Sequence, residues 1–369
     1  MKVEMVKMSL LLRGIGFFIC GLLRCGADQL DVYFFNVGQA SFTLLKTERE
    51  AVVIDCGTKC KPENVGEVHN KMKTFVFGVL GGNTPNFIKP LVLISHMDND
   101  HYSGLGDFFP VRGREKVVVG GVRSEEDDDV RIPLELQGED VRFFENKLRG
   151  RLWIADRDSS LMRGQENGEV FFRDNTSLRV ACFFPKENKA SKNRNEQSLM
   201  IKVTYAGKNI LFPGDCSATL LGKLSQTEGF ANFLGNIDVF VFSHHGDGHN
   251  GELNLFGVFA ASLKQLGQQP HVPLCAIVSS NPVGVNHIPK NEVAMFGNPR
   301  ILGITKQHEV SVYNLLGNKI EQRSTNTPIY VTSDAVMAYQ LTIPSNGAWA
   351  ELKNIDFSGR QVKSGFYPP

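Results

Sequence analysis

Within six positions the chain carries two histidines and two aspartates: His96, Asp98, Asp100 and His101. Imidazole nitrogens and carboxylate oxygens are the ligand atoms that zinc and similar divalent ions take. The run just before them, Leu91-Val92-Leu93-Ile94, is apolar and partly β-branched and reads as a buried strand. On an extended loop leaving that strand, the alternate positions His96, Asp98 and Asp100 aim three side chains at one place. His101 then points the other way, towards a neighbouring site, a geometry that suits two adjacent metal ions. The competing reading is a solvated polar loop with incidental histidines. The density of ligand types in so short a stretch weighs against it.

Two later strand ends repeat the theme. Lys208-Asn209-Ile210-Leu211-Phe212 runs through Pro213-Gly214 into Asp215, and Val239-Phe240-Val241-Phe242 runs through Ser243 into His244-His245-Gly246. A Gly-Asp at a strand end is common by chance, so Asp215 gains weight only from following the ligand-rich loop in order. His287 stands in a later segment, Asn286-His287-Ile288-Pro289, after the strand-like Cys275 to Ser280. Asp247, His249, His69, His271 and His308 match no such pattern and read as surface or core residues.

Strands and one helix must position these groups. Leu30 to Val37 alternates and reads as an opening strand, followed by Phe42 to Leu45 and Ala51 to Ile54. Val65, Val68, Met72, Phe75, Val76 and Val79 recur at helical spacing before Gly81-Gly82-Asn83-Thr84-Pro85 stops the helix. Further strands fall at Val117 to Val122, Leu178 to Phe184, Leu199 to Tyr205, Ile329 to Thr332 and Ala338 to Thr342. Strand, helix, strand successions of this kind result from packing helices on sheet faces, an α+β arrangement.

On these segments the chain resembles the metallo-β-lactamase superfamily, whose signature is a strand followed by His-x-His-x-Asp-His. Asp98 stands where the second histidine is usual. Ser95-His96-Met97-Asp98-Asn99-Asp100-His101 is similar to the Ser-His-x-Asp-x-Asp-His of the lactamase-like domain in competence proteins, which carry DNA across bacterial membranes. Asn195-Glu196-Gln197-Ser198-Leu199 and the strand into Gly214-Asp215 resemble the same proteins. Val37-Gly38-Gln39-Ala40 leading to Ile54-Asp55-Cys56-Gly57 resembles the superfamily's opening, with Ala40 in place of a glycine. The resemblance covers about residues 30 to 295 and, more loosely, the tail.

The resemblance implies a four-layer αββα sandwich with metals at one edge between the sheets. It implies that His96, Asp98, Asp100, His101, Asp215 and His245 bind metal, with Asp215 bridging. His244 would face substrate phosphate or the attacking water, His287 is the last histidine candidate, and Asp55 braces the metal loop by hydrogen bonding rather than binding metal, with a plain turn aspartate as the competing reading. The superfamily's usual third histidine is missing, for no histidine lies between His101 and His244. Asn195 and Ser198 occupy that region with no ligand role assigned.

The implied cofactors are two divalent ions, zinc first, with manganese or iron as alternatives because the Asp98 carboxylate is harder than imidazole. Two such ions share a water that exists as hydroxide near neutral pH. Asp100 would orient it, and His244 or His287 could pass a proton to the leaving group. The expected activity is hydrolysis of a phosphodiester or another small ester, with nucleic acid among the candidates, supported by the basic loop Lys186 to Arg194. Lactonase or β-lactamase activity fits less well, because those enzymes carry the missing histidine. The alternative is a non-catalytic lactamase-fold binding or assembly module, which the intact aspartates and histidines argue against.

Composition bounds the rest. A chain of 369 residues, 42% hydrophobic, buries a substantial core, and a formal net charge of +1 gives no overall attraction to nucleic acid. Gly14 to Leu23 has the length of a signal-peptide core and is too short to span a membrane. Cys25-Gly26-Ala27 offers small residues for cleavage, so residues 1–27 read as a signal peptide, residues 28–369 as the hydrolase domain, and the protein as exported. The other reading is a buried N-terminal helix and a cytoplasmic protein. The run Ser124 to Asp129 reads as a solvated acidic loop. Of seven cysteines, Cys56 and Cys60 are close enough for a small-loop disulfide in an exported protein, and buried thiols are the alternative.

Overall fold

Alternation of apolar side chains on both faces of the strands decides the architecture. The computed structural model describes residues 28–58, 65–96, 98–109, 116–119, 152–154, 165–166, 169–174, 178–183, 195, 198–226, 229–246, 275–279, 308–313, 319–325, 329–332, 335–347 and 351–362. Residues 1–27, Cys60, the acidic run 124–129, the basic loop 186–194 and His287 lie outside the described residues.

The strands in chain order are β1 (Gln29–Phe35), β2 (Phe42–Lys46), β3 (Ala51–Cys56), β4 (Leu91–Ile94), β5 (Lys116–Val119), β6 (Leu152–Ile154), β7 (Gln165–Glu166), β8 (Glu169–Asp174), β9 (Leu178–Phe183), β10 (Met200–Tyr205), β11 (Lys208–Phe212), β12 (Val239–Val241), β13 (Cys275–Val278), β14 (His308–Tyr313), β15 (Lys319–Thr325), β16 (Ile329–Val331), β17 (Ala338–Pro344) and β18 (Glu351–Ile355). The helices are α1 (Val65–Val79), α2 (Asn99–Tyr102), α3 (Leu105–Phe108), α4 (Ala218–Ser225) and α5 (Phe230–Phe233).

Among the described residues two eight-stranded sheets form, in the orders β18-β17-β1-β2-β3-β4-β5-β6 and β16-β13-β12-β11-β10-β9-β8-β7. Strands β14 and β15 pair separately. Each large sheet has an antiparallel half and a parallel half; β3, β4, β5 and β6 run parallel in one, and β11, β12, β13 and β16 in the other.

Side-chain alternation sorts the core into three layers between four. Leu30, Val32 and Phe34 of β1 meet Ile201, Val203 and Ile210 of the other sheet in the central layer. Tyr33 and Phe35, on the opposite face of β1, pack with Met72 and Val76 of α1. Met200, Leu211 and Phe240 pack with Leu220, Leu224, Phe230 and Phe233 of α4 and α5. Burying a Val, Leu, Ile or Phe side chain contributes about 1.5–3 kcal/mol, so both sheets are held on both faces. This is an α+β, four-layer αββα sandwich. Among the described residues no helix is long and apolar enough to cross a membrane.

The turn before β2 accommodates the alanine that stands where the resemblance has a glycine. Its left-handed position falls at Gly38, with φ 76°, while Ala40 is absent from the left-handed residues, so alanine there carries no conformational cost. The ligand-rich loop differs from the extended chain expected. It turns helical at Asn99, with Asp98 extended at φ −88°, ψ 144° just before α2. His96 and Asp98 therefore precede the helical turn, and Asp100 and His101 ride on it.

Candidate metal centre

The potential ligands gather at the carboxyl ends of parallel strands, where open sheets of this kind leave crevices for binding. Asp55 is the penultimate residue of β3, Ser95 and His96 follow β4, Asp215 follows β11, Ser243 to His245 follow β12, and Ser279 follows β13. The two sheets are stitched together here: Leu199 N–H, just before β10, donates to Ser95 O over 2.8 Å.

Two glycines let the loops close in. A Cβ on Gly57 would lie 1.6 Å from the Asp100 carbonyl oxygen, so only glycine lets α2 sit on the end of β3. That same oxygen accepts from Ser41 N–H at 3.0 Å, and Gly104 N–H donates to Cys56 O at 2.8 Å. Gly214 has φ +60°, and a Cβ there would lie 2.8 Å from Ser95 Cβ. Asp215 N–H donates to Ser198 Oγ at 3.1 Å, which fixes the aspartate behind it.

Around Asp215 the ligand atoms stand at coordination spacing. His96 Nε2 is 3.3 Å from Asp98 Oδ2 and 3.7 Å from Asp215 Oδ2. His101 Nε2 is 3.1 Å from Asp215 Oδ1. His245 Nε2 is 3.5 Å from Asp100 Oδ2 and 3.9 Å from Asp215 Oδ2. An ion held by four ligands at about 2.0–2.2 Å has neighbouring ligand atoms roughly 3.3–3.6 Å apart. Two sets of three, His96–His101–Asp215 and Asp100–His101–His245, each have all ligand atoms within 4.8 Å of one another.

The hydrogen bonds leave the right nitrogens open. Nε2 of His96, His101 and His245 is buried without a hydrogen-bond partner; the 3.1 Å approach of His101 to Asp215 lacks the alignment of one. The opposite ring nitrogens are all anchored. His245 Nδ1 donates to Ser279 O at 3.0 Å, and His101 Nδ1 to Asp55 Oδ2 at 2.8 Å. Ser95 Oγ donates to Asp55 Oδ2 at 3.0 Å and so accepts from His96 Nδ1 at 3.1 Å. Ser95 N–H donates to Asp55 Oδ1 at 2.7 Å. This network places a proton on Nδ1 of all three rings and turns each Nε2 inward, the nitrogen that a metal-ligating histidine offers once it is free of its proton. The residues fit a divalent cation.

Strain and charge are concentrated at the same place. Asp55, His244 and His245 all have left-handed backbones, at φ 54°, 49° and 56°. Such conformations cost on the order of 1–3 kcal/mol each and persist where the surroundings enforce them. Burial opposes charge on His101, but Asp215 and Asp55 outweigh it and hold its pKa well above the ordinary histidine value. Burial likewise opposes an ionised Asp215, and His101, His245 and His96 outweigh it, keeping that carboxylate well below its usual range. Without a cation, the two form a buried ion pair.

The structure thus brings His96, Asp98, Asp100, His101, Asp215 and His245 together, and His244 Nε2 stands 3.6 Å from Asp215 Oδ2. The ligands do not divide as the alternation of an extended loop implies. Asp100 sits with His101 and His245 rather than with His96, because the chain turns helical after Asp98. Asp55 is the brace, not a plain turn residue. Ser95 and the carbonyl of Ser279 were missed. Ser95 could have been found from its position between a buried strand and a candidate ligand; Ser279 could have been found as the end of the strand beside β12.

No protein-family model matches the chain. No curated protein matches it either. Solved structures similar to it include the metallo-β-lactamase fold protein YhfI from Bacillus subtilis, at 13% identity and TM-score 0.31, over 58% of this chain and 70% of that one. Another is the zinc-bound PqqB from Methylobacterium extorquens, at 13% identity and TM-score 0.29, over 55% of this chain and 59% of that one. A variant of the CmlA β-hydroxylase matches at 15% identity and TM-score 0.35, over 68% of this chain and 45% of that one. The chain therefore spans less than two thirds of the latter two proteins. Likeness this distant carries nothing about chemistry, and the ligand geometry stands by itself.

Proposed function

We propose that this protein is a metal-dependent hydrolase that holds two divalent cations and cleaves phosphodiester bonds. The observation that carries the reading is the convergence on one buried carboxylate, Asp215, of His96 with Asp98 and of His101 with Asp100 and His245. Bound cations would supply acidity to water near neutral pH and neutralise charge developing on phosphate oxygens.

The chain's own residues supply the rest. Asp55 and Ser95 fix the rings of His96 and His101, and Ser279 fixes His245, so the Nε2 atoms are aimed before any ion arrives. Asp98, Asp100 and Asp215 place three carboxylates in the site, so an anionic phosphodiester is admitted only once cations have offset them. Zinc is the first choice; the carboxylate of Asp98 also suits manganese or iron.

The test uses chelator-treated protein supplied with zinc, manganese or iron. Bis(p-nitrophenyl) phosphate, a short single-stranded DNA, p-nitrophenyl phosphate and a simple lactone are offered in parallel. The diesters should be cleaved at least about tenfold faster than the monoester and the lactone, a difference of about 1.4 kcal/mol in barrier. Metal-loaded protein that cleaves no diester would sink the reading in favour of a binding module.

A further inference from the structure

We propose that His244 is a metal ligand, supplying the fourth ligand atom to the cation held by His96, Asp98 and Asp215, in place of the histidine missing between His101 and His244. The inference rests on the two-cation reading and says how its more open site is completed.

Three observations carry it. First, the spacing is that of a ligand. His244 Nε2 lies 3.6 Å from Asp215 Oδ2, the oxygen that stands 3.7 Å from His96 Nε2, and His96 Nε2 is 3.3 Å from Asp98 Oδ2. Each of these three separations is close to one edge of a coordination tetrahedron with bonds of about 2.0–2.2 Å. The other oxygen, Oδ1, turns to His101 at 3.1 Å.

Second, the backbone is built to deliver two imidazoles to one carboxylate. On an extended chain, successive side chains point to opposite faces. Here both His244 and His245 are left-handed, at φ 49°, ψ 44° and φ 56°, ψ 21°, and both Nε2 atoms reach within 3.9 Å of Asp215 Oδ2. The loop is tied down on both sides of Asp215: Ser243 Oγ donates to Cys216 O at 2.9 Å, and His244 N–H donates to Gly214 O at 3.2 Å. The backbone thus sets His244 beside the carboxylate that the other ligand atoms approach.

Third, burial separates two unequal sites. The Asp100, His101 and His245 side chains are 16%, 2% and 3% exposed. Asp98 and His244 are 32% and 21% exposed. His96 and Asp215 are buried beside them, at 0% and 5%, so the outer cation meets solvent only on the Asp98 and His244 side, where water and substrate can arrive. His244 thus belongs with the looser, outer cation.

The experiment is zinc titration of metal-free protein by calorimetry, with bound zinc counted after dialysis. Two variants are used because the backbone at His244 is left-handed. His244→Gly tolerates that conformation freely, and His244→Asn tolerates it better than most residues; circular dichroism checks that each is folded. Wild-type protein should bind two zinc ions, one tightly and one more weakly. Both variants should keep the tight ion and lose affinity for the weak one by more than about 100-fold, beyond the roughly 10- to 100-fold cost of removing an outer partner. His245→Ala should lose the tight ion instead. If either folded His244 variant binds two zinc ions with wild-type affinities, His244 is not a ligand and the proposal falls while the two-cation reading stands. Wild-type protein that binds fewer than two zinc ions overturns both.

Discussion

Asp55 and His101 lie 46 positions apart in the chain, and His101 Nδ1 donates to Asp55 Oδ2 over 2.8 Å in a buried contact. The aspartate holds that nitrogen from behind, so Nε2 is the one His101 can offer to a cation. Asp55→Asn should expose this role. Asparagine tolerates the left-handed backbone at this position and can still accept from Ser95 N–H. Its amide nitrogen beside His101 forces the ring to move its proton to Nε2, where the lone pair is needed. Zinc affinity should fall by about 10- to 100-fold with the fold retained. Calorimetric titration checks it, and unchanged affinity would show that Asp55 is only structural.

Gly57 offers a test in which charge is untouched. An alanine Cβ there would overlap the Asp100 carbonyl, so α2 must move off the end of β3. Overpacking of this kind costs about 1–3 kcal/mol, sometimes more. Gly57→Ala should lower the urea midpoint of the metal-free protein and weaken zinc binding together, since Asp100 and His101 ride on the displaced turn. A loss of stability with normal zinc binding would separate the turn from the site.

The sandwich was legible because its strands are buried on both faces and alternate between two apolar partners, as Leu30, Val32 and Phe34 do against Tyr33 and Phe35. The ligand-rich loop was legible because four such residues so close together have few structural uses. The division of those ligands was not. It depends on α2, a single helical turn whose preceding residue makes no side-chain cap, so nothing in the local composition announces it. The anchor of His245 was hidden for another reason. Ser279 acts through its carbonyl oxygen, a group every residue has, and only the pairing of β12 with β13 brings it near.

Acidity should govern metal uptake through His101 and Asp215. In the metal-free protein the raised His101 pKa contributes stability that is full below the unfolded histidine value and is lost as pH rises through the folded one. The lowered Asp215 pKa contributes stability present above the unfolded carboxylate value and lost as pH falls through the folded one. Both contributions are present together between roughly pH 4 and 6.5. A cation at His101 Nε2 must displace the proton held there, so zinc affinity should rise with pH from about 6 to 8. Titrations in buffers of different ionisation enthalpy should show about one proton released from His101 at pH 7, besides any from water. Uptake without proton release in that range contradicts a charged His101.

Asp100 separates metal-held chemistry from folding. Its main-chain carbonyl is fixed by Ser41 N–H and by contact with Gly57, so the backbone stays in place whatever the side chain. Its carboxylate stands 3.5 Å from His245 Nε2 on the enclosed side of the site. Asp100→Asn keeps the size and removes the charge. In the metal-free protein the amide still stands beside His245 Nε2, so the thermal midpoint should stay close to that of the parent protein. With metal supplied, a neutral amide oxygen binds the inner cation more weakly and no longer offsets its charge. Diester turnover should fall about 10³-fold, near 4 kcal/mol of barrier, within the several kcal/mol that a catalytic cation supplies. Zinc counting distinguishes the causes. A variant that loses one ion and its turnover together places Asp100 as a ligand of the inner cation. A variant that keeps both ions and full turnover removes Asp100 from the site altogether.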